Sequence, residues 1–512
     1  MGESQQGASS GSAATLSRRR ILFALGGTVG SMLALSACGS ATTTAATTTV
    51  TVTAAAAKAS TVTVTAAAAA AATSSATRSS TAALSVTAST SAVSTVAKTT
   101  AQVIFMSRGD TTQQQLDQQA LQAFHQQQPD IDVKLTMGSD YEKQITALVA
   151  GGEPPSVGFG LISTNVLHYV KGVTVSLSPY FARDSTLHES DYDPYWIQAF
   201  QWHGHLVAIP RDPAMVVLYF NPSIFTSDGQ PVPGTAAGDR LSWEQVIQEA
   251  TPMTRTSTGS PLGGNAAEWP QAAQEGLEWG LFGHEWWMIS RQQGLEPFDQ
   301  TYTHINEQAA VVGLTFLHDT MWKQTVTIPP GIKTEQPVGF ERGNLAMKAF
   351  GNWDVKLYRK DLKVAWDQAP LPTFQGKPPA TLGWGSGMEL FNHIKDADAA
   401  WQLFRFLVGP QGSLIYIAGG LGQPILKQLA NTPAFLNGKP PEHPTVVLNE
   451  TAFAKPPVMS YPGYNDVKAI FGKAQQAVYQ NKQTSSEAVA AVIPAINAKL
   501  AEWATQLSSS AT

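Results

Sequence analysis

The sequence predicts an α/β protein in which helices flank a mostly parallel sheet. Residues 101–150 have the pattern strand, helix, strand, helix, which is the order of a right-handed parallel α/β unit. Hydrophobic residues make up 43% of the 512 residues, and the chain contains 13 tryptophans, so it can bury a large core. The first hundred residues differ so much in composition that we assign them to no globular domain.

The N-terminus carries the pattern of an export signal. Arginines at 18–20 precede an apolar run from 21 to 35, which is shorter than the ~20 residues of a membrane span. The run ends in Leu-Ser-Ala-Cys-Gly, and its Cys38 is the single cysteine of the chain. This pattern resembles a bacterial lipoprotein signal, which implies a signal peptide over 1–37 and lipidation of Cys38. The arginines also resemble a Tat signal, and Sec export remains the alternative.

Residues 38–100 are predicted to form a disordered tether behind the lipidated cysteine. No aromatic and no acidic residue occurs between 39 and 100, so large side chains that could offset the ordering entropy are missing. The octapeptide VTVTAAAA occurs at 50–57 and again at 62–69, which is typical of low-complexity sequence. A flexible chain of this length spans ~45 Å, with or without O-glycosylation of its Ser and Thr residues.

Charge is unevenly divided along the chain. Six of the 33 basic and one of the 38 acidic residues precede residue 101, so the remainder holds 27 basic and 37 acidic residues and carries a formal charge of −10. A nucleic-acid-binding domain would show a basic balance, so we expect no nucleic-acid partner. The single cysteine excludes an internal disulfide and a cysteine-rich metal site.

The first elements of the folded part place polar residues at the ends of strands. The pattern predicts strands over 103–106, 131–137 and 157–161 and helices over 111–128 and 140–149. Ligands of parallel α/β sheets bind beyond the carboxyl ends of the strands. Arg108 and Asp110, which follow the first strand, are therefore the first candidates for a binding site.

The middle of the chain contains a charged break between two apolar strands. A turn at 202–205 leads into the strand 206–210, and its two histidines lack a third metal ligand nearby. Arg211 and Asp212 then interrupt the apolar sequence before a second strand over 215–220. Such a break is typical of a chain that crosses between two lobes. We predict no metal site and no cofactor.

Five segments, in order, resemble the extracellular solute-binding proteins of ABC importers, family 1, the maltose-binding-like sugar receptors. The first segment is the strand and helix of 103–133. The second is GHLVAIPRD with LYFNPSIF, and the third is LSWEQV. The fourth is GFERGNLAM with FGNW, and the fifth is GWGSGM with AAWQLFRFL and residues 419–424. The likeness spans nearly all of 101–500. The loop 153–156, Glu-Pro-Pro-Ser, departs from the usual Pro-Asp of the family.

The resemblance implies a two-lobed, type II periplasmic-binding-protein-like fold with the ligand in a cleft that closes by hinge motion. The implied first lobe comprises 101–210 and 375–423. The second comprises 211–374 and 424–505, which leaves 506–512 as a tail. The resemblance also implies a monomeric receptor outside the cell or in the periplasm, held to the membrane only by its lipid. Its partners would be an ABC permease and the cytosolic ATPase.

A sugar offers apolar C–H faces and a rim of hydroxyls, so its site needs aromatic rings and planar polar groups. The resemblance places a cleft-facing tryptophan at Trp353 and at least one more at Trp286 or Trp287. The Gly-rich segment around Trp384 would let the backbone approach a ligand closely. The candidate ligand-binding residues are Arg108, Asp110, Arg211, Asp212, His284, Trp286, Trp287, Asn352, Trp353, Trp384 and Gly385.

The predicted function is capture of a carbohydrate, and specifically an oligosaccharide, for import. A sensor that feeds a membrane kinase, or a receptor for a polyamine or a glycerol phosphodiester, remains open as an alternative. A secreted glycosidase is the enzymatic alternative, but paired carboxylates cannot be located from one sequence. The one Gly-x-Ser-x-Gly match, at 7–11, lies in the predicted signal peptide and is no nucleophile elbow. No Walker loop occurs, and His284-Glu285 lacks the second histidine of a zinc-protease motif. We therefore predict a binding protein and no enzyme.

Overall fold

A computed structural model describes residues 48–50, 62–64, 101–138, 140–262, 265–280, 283–455 and 457–509. The predicted signal peptide, Cys38 and most of the predicted tether lie outside the described residues. Within the tether, Thr48–Val50, at the start of the first copy of the repeat, pairs antiparallel with Val62–Val64 of the second copy. The chain divides into two compact units, residues 1–93 and residues 94–512, and the second unit contains both of the larger sheets.

The first sheet of the second unit contains the predicted parallel α/β arrangement. Its five strands lie in the order Ile131–Met137, Ala101–Ser107, Val157–Leu161, Ser386–Leu390 and Ile209–Pro210. The first three are parallel to one another, and the last two run antiparallel to their neighbours. Helices Thr111–Gln127 and Tyr141–Ala150 follow the first two strands in sequence, so the predicted order of elements is confirmed.

A capping box starts the first helix. The Asp110 side chain accepts a hydrogen bond from the Gln113 amide, and the Gln113 side chain accepts one from the Asp110 amide. Two N–H groups that a helix start leaves without partners are satisfied in this way. Leu116, Ala120 and Phe124 are then buried along one helical face, as their spacing predicts.

The second sheet is built around the apolar strand Ala214–Phe220. Its seven strands are Arg255–Thr256, Ala272–Trp279, Leu345–Gly351, Ala214–Phe220, Thr381–Trp384 and Ala454–Lys455 in spatial order, with Asp367–Ala369 also paired to the central strand. Every residue of the central strand is buried, because strands or helices cover it on all sides. The sheet mixes parallel and antiparallel pairs.

The chain passes between the two sheets three times, the last time between Leu390 of the first sheet and Ala454 of the second. The first two crossings lie next to each other. The first follows Ile209–Pro210 of the first sheet and reaches Ala214 of the second through the charged break at 211–213. The second passes from Trp384 of the second sheet to Ser386 of the first. This second crossing, at Gly385, comes later in the chain than the expected lobe boundary at 375.

Helices cover both sheets. The helices in contact with strands of the first sheet include Thr111–Gln127, Tyr141–Ala150, Ile162–Val170, Pro194–Ala199 and Ala397–Val408. Those in contact with strands of the second include Pro222–Ser227, Trp243–Met253, Glu307–Trp322 and Val446–Thr451. The remaining α-helices are Ser178–Arg183, Glu285–Gln292, Val355–Asp361, Pro410–Ala418, Pro433–Leu436, Tyr464–Tyr479 and Ser485–Ser509. Among the described residues, no helix has both the length and the apolar character that a membrane span requires.

Candidate functional site

A cavity of about 380 Å³ lies where the two sheets meet. Strands from both sheets end at it, so its walls come from residues far apart in sequence. Seven of the predicted site residues line it: Arg108, Asp110, Asp212, His284, Trp353, Trp384 and Gly385. Its volume lies within the ~300–1,000 Å³ of small-molecule sites.

One wall carries a chain of polar contacts across the first two crossings. Arg108 Nη2 donates a hydrogen bond to Ser386 Oγ at 2.5 Å, and the Ser386 amide donates to Asp212 Oδ1 at 2.6 Å. Burial raises the pKa of Asp212 against the opposing effect of the nearby arginines. Burial also lowers the pKa of Arg108 from its ordinary value. The two hydrogen bonds fix the guanidinium of Arg108 and the carboxyl group of Asp212 beside the cavity.

An ion pair crosses the cavity from one sheet to the other. Asp110 follows a first-sheet strand, and its Oδ2 lies 3.0 Å from Lys356 Nζ on helix Val355–Asp361, which follows a second-sheet strand. Partial burial works against the charged form of Asp110, but the Gln113 amide and Lys356 outweigh it and lower the pKa of this carboxyl. The pair links the two sides of the cavity at its edge.

A second part of the cavity lining is aromatic. The rings of Trp353 and Trp384 lie 4.8 Å apart, centroid to centroid, at 37°, and the His284 ring meets Trp384 edge-on at 5.4 Å. The Tyr464 hydroxyl lies 2.8 Å from His284 Nδ1. Burial, with a smaller effect of Lys468, lowers the pKa of His284 to about 3, so its imidazole is neutral in ordinary buffers. Flat apolar rings and neutral hydrogen-bonding groups thus share one wall.

Gly385 allows the first two crossings to lie against each other. A Cβ atom at this position would lie 2.9 Å from the Asp212 carbonyl oxygen and 3.1 Å from Pro213 Cα. Both contacts are with backbone atoms that cannot swing aside. The sequence predicted a close approach of this segment to a ligand, and the close approach that the structure shows is to the other crossing.

Four predicted site residues do not line the cavity. Arg211 is buried against Asp117, with 2.6 Å between Nη1 and Oδ1. The side chain of Asn352 accepts a hydrogen bond from the Met215 amide at 2.8 Å. Trp286 and Trp287 are both buried in helix Glu285–Gln292, every residue of which is buried. Trp287 reaches the site indirectly, because its ring packs 4.9 Å from that of His284.

The structure adds residues that the sequence did not single out. These are Gln113, Leu161, Ile162, Ser163, Ala214, Asp354, Lys356, Leu357, Ser386, Leu421, Met459, Tyr464, Asn465 and Lys468. A signal existed for Leu161–Ser163, since they end a parallel strand. Lys356 lies in the short helix Val355–Asp361, which follows Trp353 in the sequence. No pattern over 459–468 predicts that residues of this segment line the cavity.

The charges that line the cavity are balanced. Three cations (Arg108, Lys356 and Lys468) stand with three carboxyl groups (Asp110, Asp212 and Asp354). Burial raises the pKa of Asp354 to about 6. Among the described residues, no group of three His, Cys, Asp or Glu side chains could hold a metal ion. Such a site can bind a neutral polar molecule through hydrogen bonds and ring contacts.

Three solved structures illustrate the likeness to two-lobed binding proteins. An ABC substrate-binding protein from Listeria monocytogenes, in complex with cycloalternan, is 19% identical; the match covers 78% of this chain and 99% of that one, with a TM-score of 0.66. The maltose/maltodextrin-binding domain MalE from Bdellovibrio bacteriovorus, bound to maltotriose, is 16% identical over 78% and 99%, with a TM-score of 0.62. A cyclic alpha-maltosyl-1,6-maltose binding protein from Arthrobacter globiformis is 16% identical over 78% and 99%, with a TM-score of 0.63.

The sequence comparisons bear on the family directly. No curated protein sequence matches the chain. Residues 108–413, more than half of the chain, match the family described as "Bacterial extracellular solute-binding protein". The matched range contains the first two crossings and most of the cavity lining. The chain therefore belongs to the bacterial extracellular solute-binding protein family, and its fold is the two-lobed fold of that family.

Proposed function

We propose that the protein is the substrate-binding protein of an ABC importer and that it captures a carbohydrate, specifically an oligosaccharide. The observation that carries this proposal is the wall of Trp353 and Trp384 beside fixed polar groups in a charge-balanced cavity. Tryptophan faces bind the C–H surfaces of a sugar ring, while Arg108, Asp212 and their neighbours exchange hydrogen bonds with its hydroxyls. The three solved structures, each named for or bound to an oligosaccharide, support the same class of ligand.

Delivery to a membrane complex follows from the same proposal. The two lobes, each containing one sheet, would close on the sugar, and closure would present the loaded form to a permease with its cytosolic ATPase. Cys38 would carry the lipid that holds the receptor at the outer face of the cell membrane, and 39–100 would serve as its tether. The protein would act as a monomer and leave its ligand chemically intact.

A thermal-shift screen over mono- and oligosaccharides, with a polyamine and a glycerol phosphodiester included, tests this function. A sugar present at 100 times its Kd should add ~2.7 kcal/mol to the free energy of unfolding. Calorimetry on the best sugar then gives the Kd, and chromatography of the mixture shows whether the sugar remains intact. If only a polyamine or a phosphodiester stabilises the protein, or if the sugar is hydrolysed, the proposal is wrong.

Two tryptophan variants give the matched comparison. Trp353→Ala removes a ring of the cavity wall, and we expect it to weaken sugar binding at least tenfold, since aromatic contacts dominate such sites. Trp401→Ala removes a similarly half-buried ring that bonds to Asp184 away from the cavity. It should lower the melting temperature but leave the Kd of the sugar unchanged.

A further inference from the structure

A short segment beside the cavity reaches from the second lobe to the first. Residues 457–463, which we call the strap, come after the last strand of the second sheet. The turn Val458–Ser460 of the strap packs against helix Ile162–Val170, which follows a strand of the first sheet. Met459 of the strap and Ile162 of the helix both line the cavity. The strap and this helix must therefore separate when the two lobes open.

The strap also carries Tyr461, whose ring contacts aromatic rings from both lobes. It stacks on Tyr302, with 5.1 Å between ring centroids and 17° between ring planes, and meets Trp202 at 6.3 Å and 53°. Trp202 belongs to the hairpin that leads into strand Ile209–Pro210 of the first sheet. Tyr302 belongs to the loop that leads into helix Glu307–Trp322, which packs on the second sheet. These three rings, which we call the clasp, join the lobes without lining the cavity.

A two-residue turn positions Trp202 against the strap. Strand Gln201–Trp202 pairs antiparallel with His205–Leu206, and the turn residues His203 and Gly204 have φ angles of 49° and 81°. This kind of turn needs positive φ at both positions, which glycine adopts freely and histidine only at a cost. The His203 ring stacks on that of Trp202, with 4.6 Å between centroids and 19° between planes. The turn therefore holds the indole in a defined place.

A polar loop positions Tyr302 from the other lobe. The Asp299 carboxylate accepts hydrogen bonds from the hydroxyls of Thr301 and Thr303 at 2.8 and 2.6 Å, and from the amides of Thr303 and His304 at 2.7 and 3.0 Å. Tyr302, inside this loop, has a φ of 54°, which a bulky residue keeps only where its surroundings enforce it. Backbone strain of this kind collects at segments that serve a function. Each lobe thus uses a strained turn to hold one ring of the clasp.

We propose that the clasp keeps the two lobes closed and slows the release of the bound solute. The inference goes beyond the proposed function, because the clasp does not touch the ligand and favours closure whether or not a ligand is present. Opening the lobes separates the ring of Trp202 from that of Tyr461. Loss of one aromatic pair corresponds to about a 2- to 12-fold change in the closing equilibrium.

Three variants isolate the clasp. Trp202→Ala removes its first-lobe ring and leaves the cavity lining intact. Tyr461→Phe keeps the ring and removes a buried hydroxyl that has no hydrogen-bond partner in the described part of the chain. Tyr180→Ala is the control, because this half-buried ring of the first lobe packs on Trp401 and not on the clasp. The probes are maltotriose, cellotriose and xylotriose, whose association and dissociation rate constants, kon and koff, are measured by stopped flow on the intact protein and each variant.

For any trisaccharide that binds, Trp202→Ala should raise koff at least about threefold and leave kon within twofold of the unaltered protein. Tyr461→Phe and Tyr180→Ala should leave koff within twofold. A loss of folding stability alone would not divide the two rate constants in this way. The clasp is overturned if Trp202→Ala raises koff by less than threefold, or if Tyr461→Phe or Tyr180→Ala raises it as much.

Hydrogen exchange separates failure of the clasp from failure of the proposed function. If none of the three trisaccharides binds, the proposed carbohydrate function is wrong, and the clasp is then tested on the ligand-free protein. Backbone amides of the strap and of helix Ile162–Val170, followed by mass spectrometry, should exchange at least about threefold faster in Trp202→Ala than in the unaltered protein or Tyr461→Phe. A smaller difference overturns the clasp.

Discussion

Arg211 has a structural environment that its sequence position did not reveal. Its Nη1 contacts Asp117 at 2.6 Å, and its Cζ lies 3.3 Å from the centroid of the Phe159 ring. Asp117 also accepts hydrogen bonds from Ser107 and Tyr416. Because all of these groups are buried, removing the guanidinium would leave a carboxylate without its cation. We therefore place Arg211 in the support of the site and not in its lining.

Arg211→Met should lower the free energy of unfolding by about 3–5 kcal/mol, the usual cost of breaking a buried ion pair on one side. Chemical denaturation measures this change. Arg405→Met is the control, because Arg405 pairs with Asp184 through a side chain that is 37% exposed, and its loss should cost under about 1 kcal/mol. If Arg211→Met kept normal stability but lost ligand binding, Arg211 would be a ligand-binding residue and this assignment would be wrong.

His168 gives the stability a dependence on pH. Burial alone would lower its pKa, but Glu389, with Nδ1 and Oε1 3.0 Å apart, and Glu142 outweigh burial and raise the pKa to about 10. The unfolded value is near 6.5, so the folded protein holds this proton more tightly. The stabilisation is therefore complete below about pH 6.5 and is lost as the pH rises through about 10.

His168→Gln should abolish that dependence. At pH 6 the variant should be less stable than the unaltered protein by roughly 3–5 kcal/mol, because Glu389 loses its buried cationic partner. The difference should shrink steadily between pH 6.5 and 10. Urea denaturation at four pH values measures it, and a difference that stays constant over this range would contradict the assigned charge state.

At the level of elements, the regular strands and helices were predictable and the contacts between distant segments were not. The strand Val157–Leu161 and the start of helix Thr111–Gln127 fall where hydrophobic periodicity and capping residues place them. Met459 and Tyr464 reach the cavity through a short 3-10 turn and a helix end, which carry no periodic signal. Helix Glu285–Gln292 is buried on every side, so no pattern distinguishes a cavity-facing tryptophan from a core one.

Gly385 allows a test of the paired crossings. Gly385→Ala introduces a Cβ atom 2.9 Å from the Asp212 carbonyl oxygen, so the two crossings must separate. We expect a loss of about 1–3 kcal/mol in stability, typical of overpacking, together with weaker ligand binding, since Ser386 holds both Arg108 and Asp212.

Gly238→Ala is the matched control for this substitution. A Cβ atom on Gly238 would meet nothing within 4 Å, and the backbone of Gly238 is not left-handed. The stability of the Gly238→Ala variant should therefore change little. Denaturation curves and the Kd of the best sugar should be measured for both variants. Equal behaviour of the two would show that the crossings tolerate separation.

At the scale of the whole molecule, the two lobes are linked across the cavity by the pair Asp110–Lys356. The Lys356 side chain is only 9% exposed and that of Asp110 is 43% exposed, so water and salt reach the pair from one side. Such a pair contributes about 0.2–1 kcal/mol. If binding requires lobe closure, this energy is gained only in the closed, liganded form and adds to the ligand affinity.

A double-mutant cycle separates this link from direct contact with the ligand. Asp110→Asn keeps a good helix cap, and Lys356→Gln keeps most of the side-chain length. Each should weaken sugar binding about two- to fivefold, and the double variant should be no weaker than either, because both remove the same interaction.

Lys360→Gln, an exposed neighbour on the same helix, should bind normally. In 1 M salt, where charges are screened beyond ~3 Å, the losses should shrink. Additive, salt-independent losses would mean that the two side chains contact the sugar separately and that the pair does not hold the lobes together.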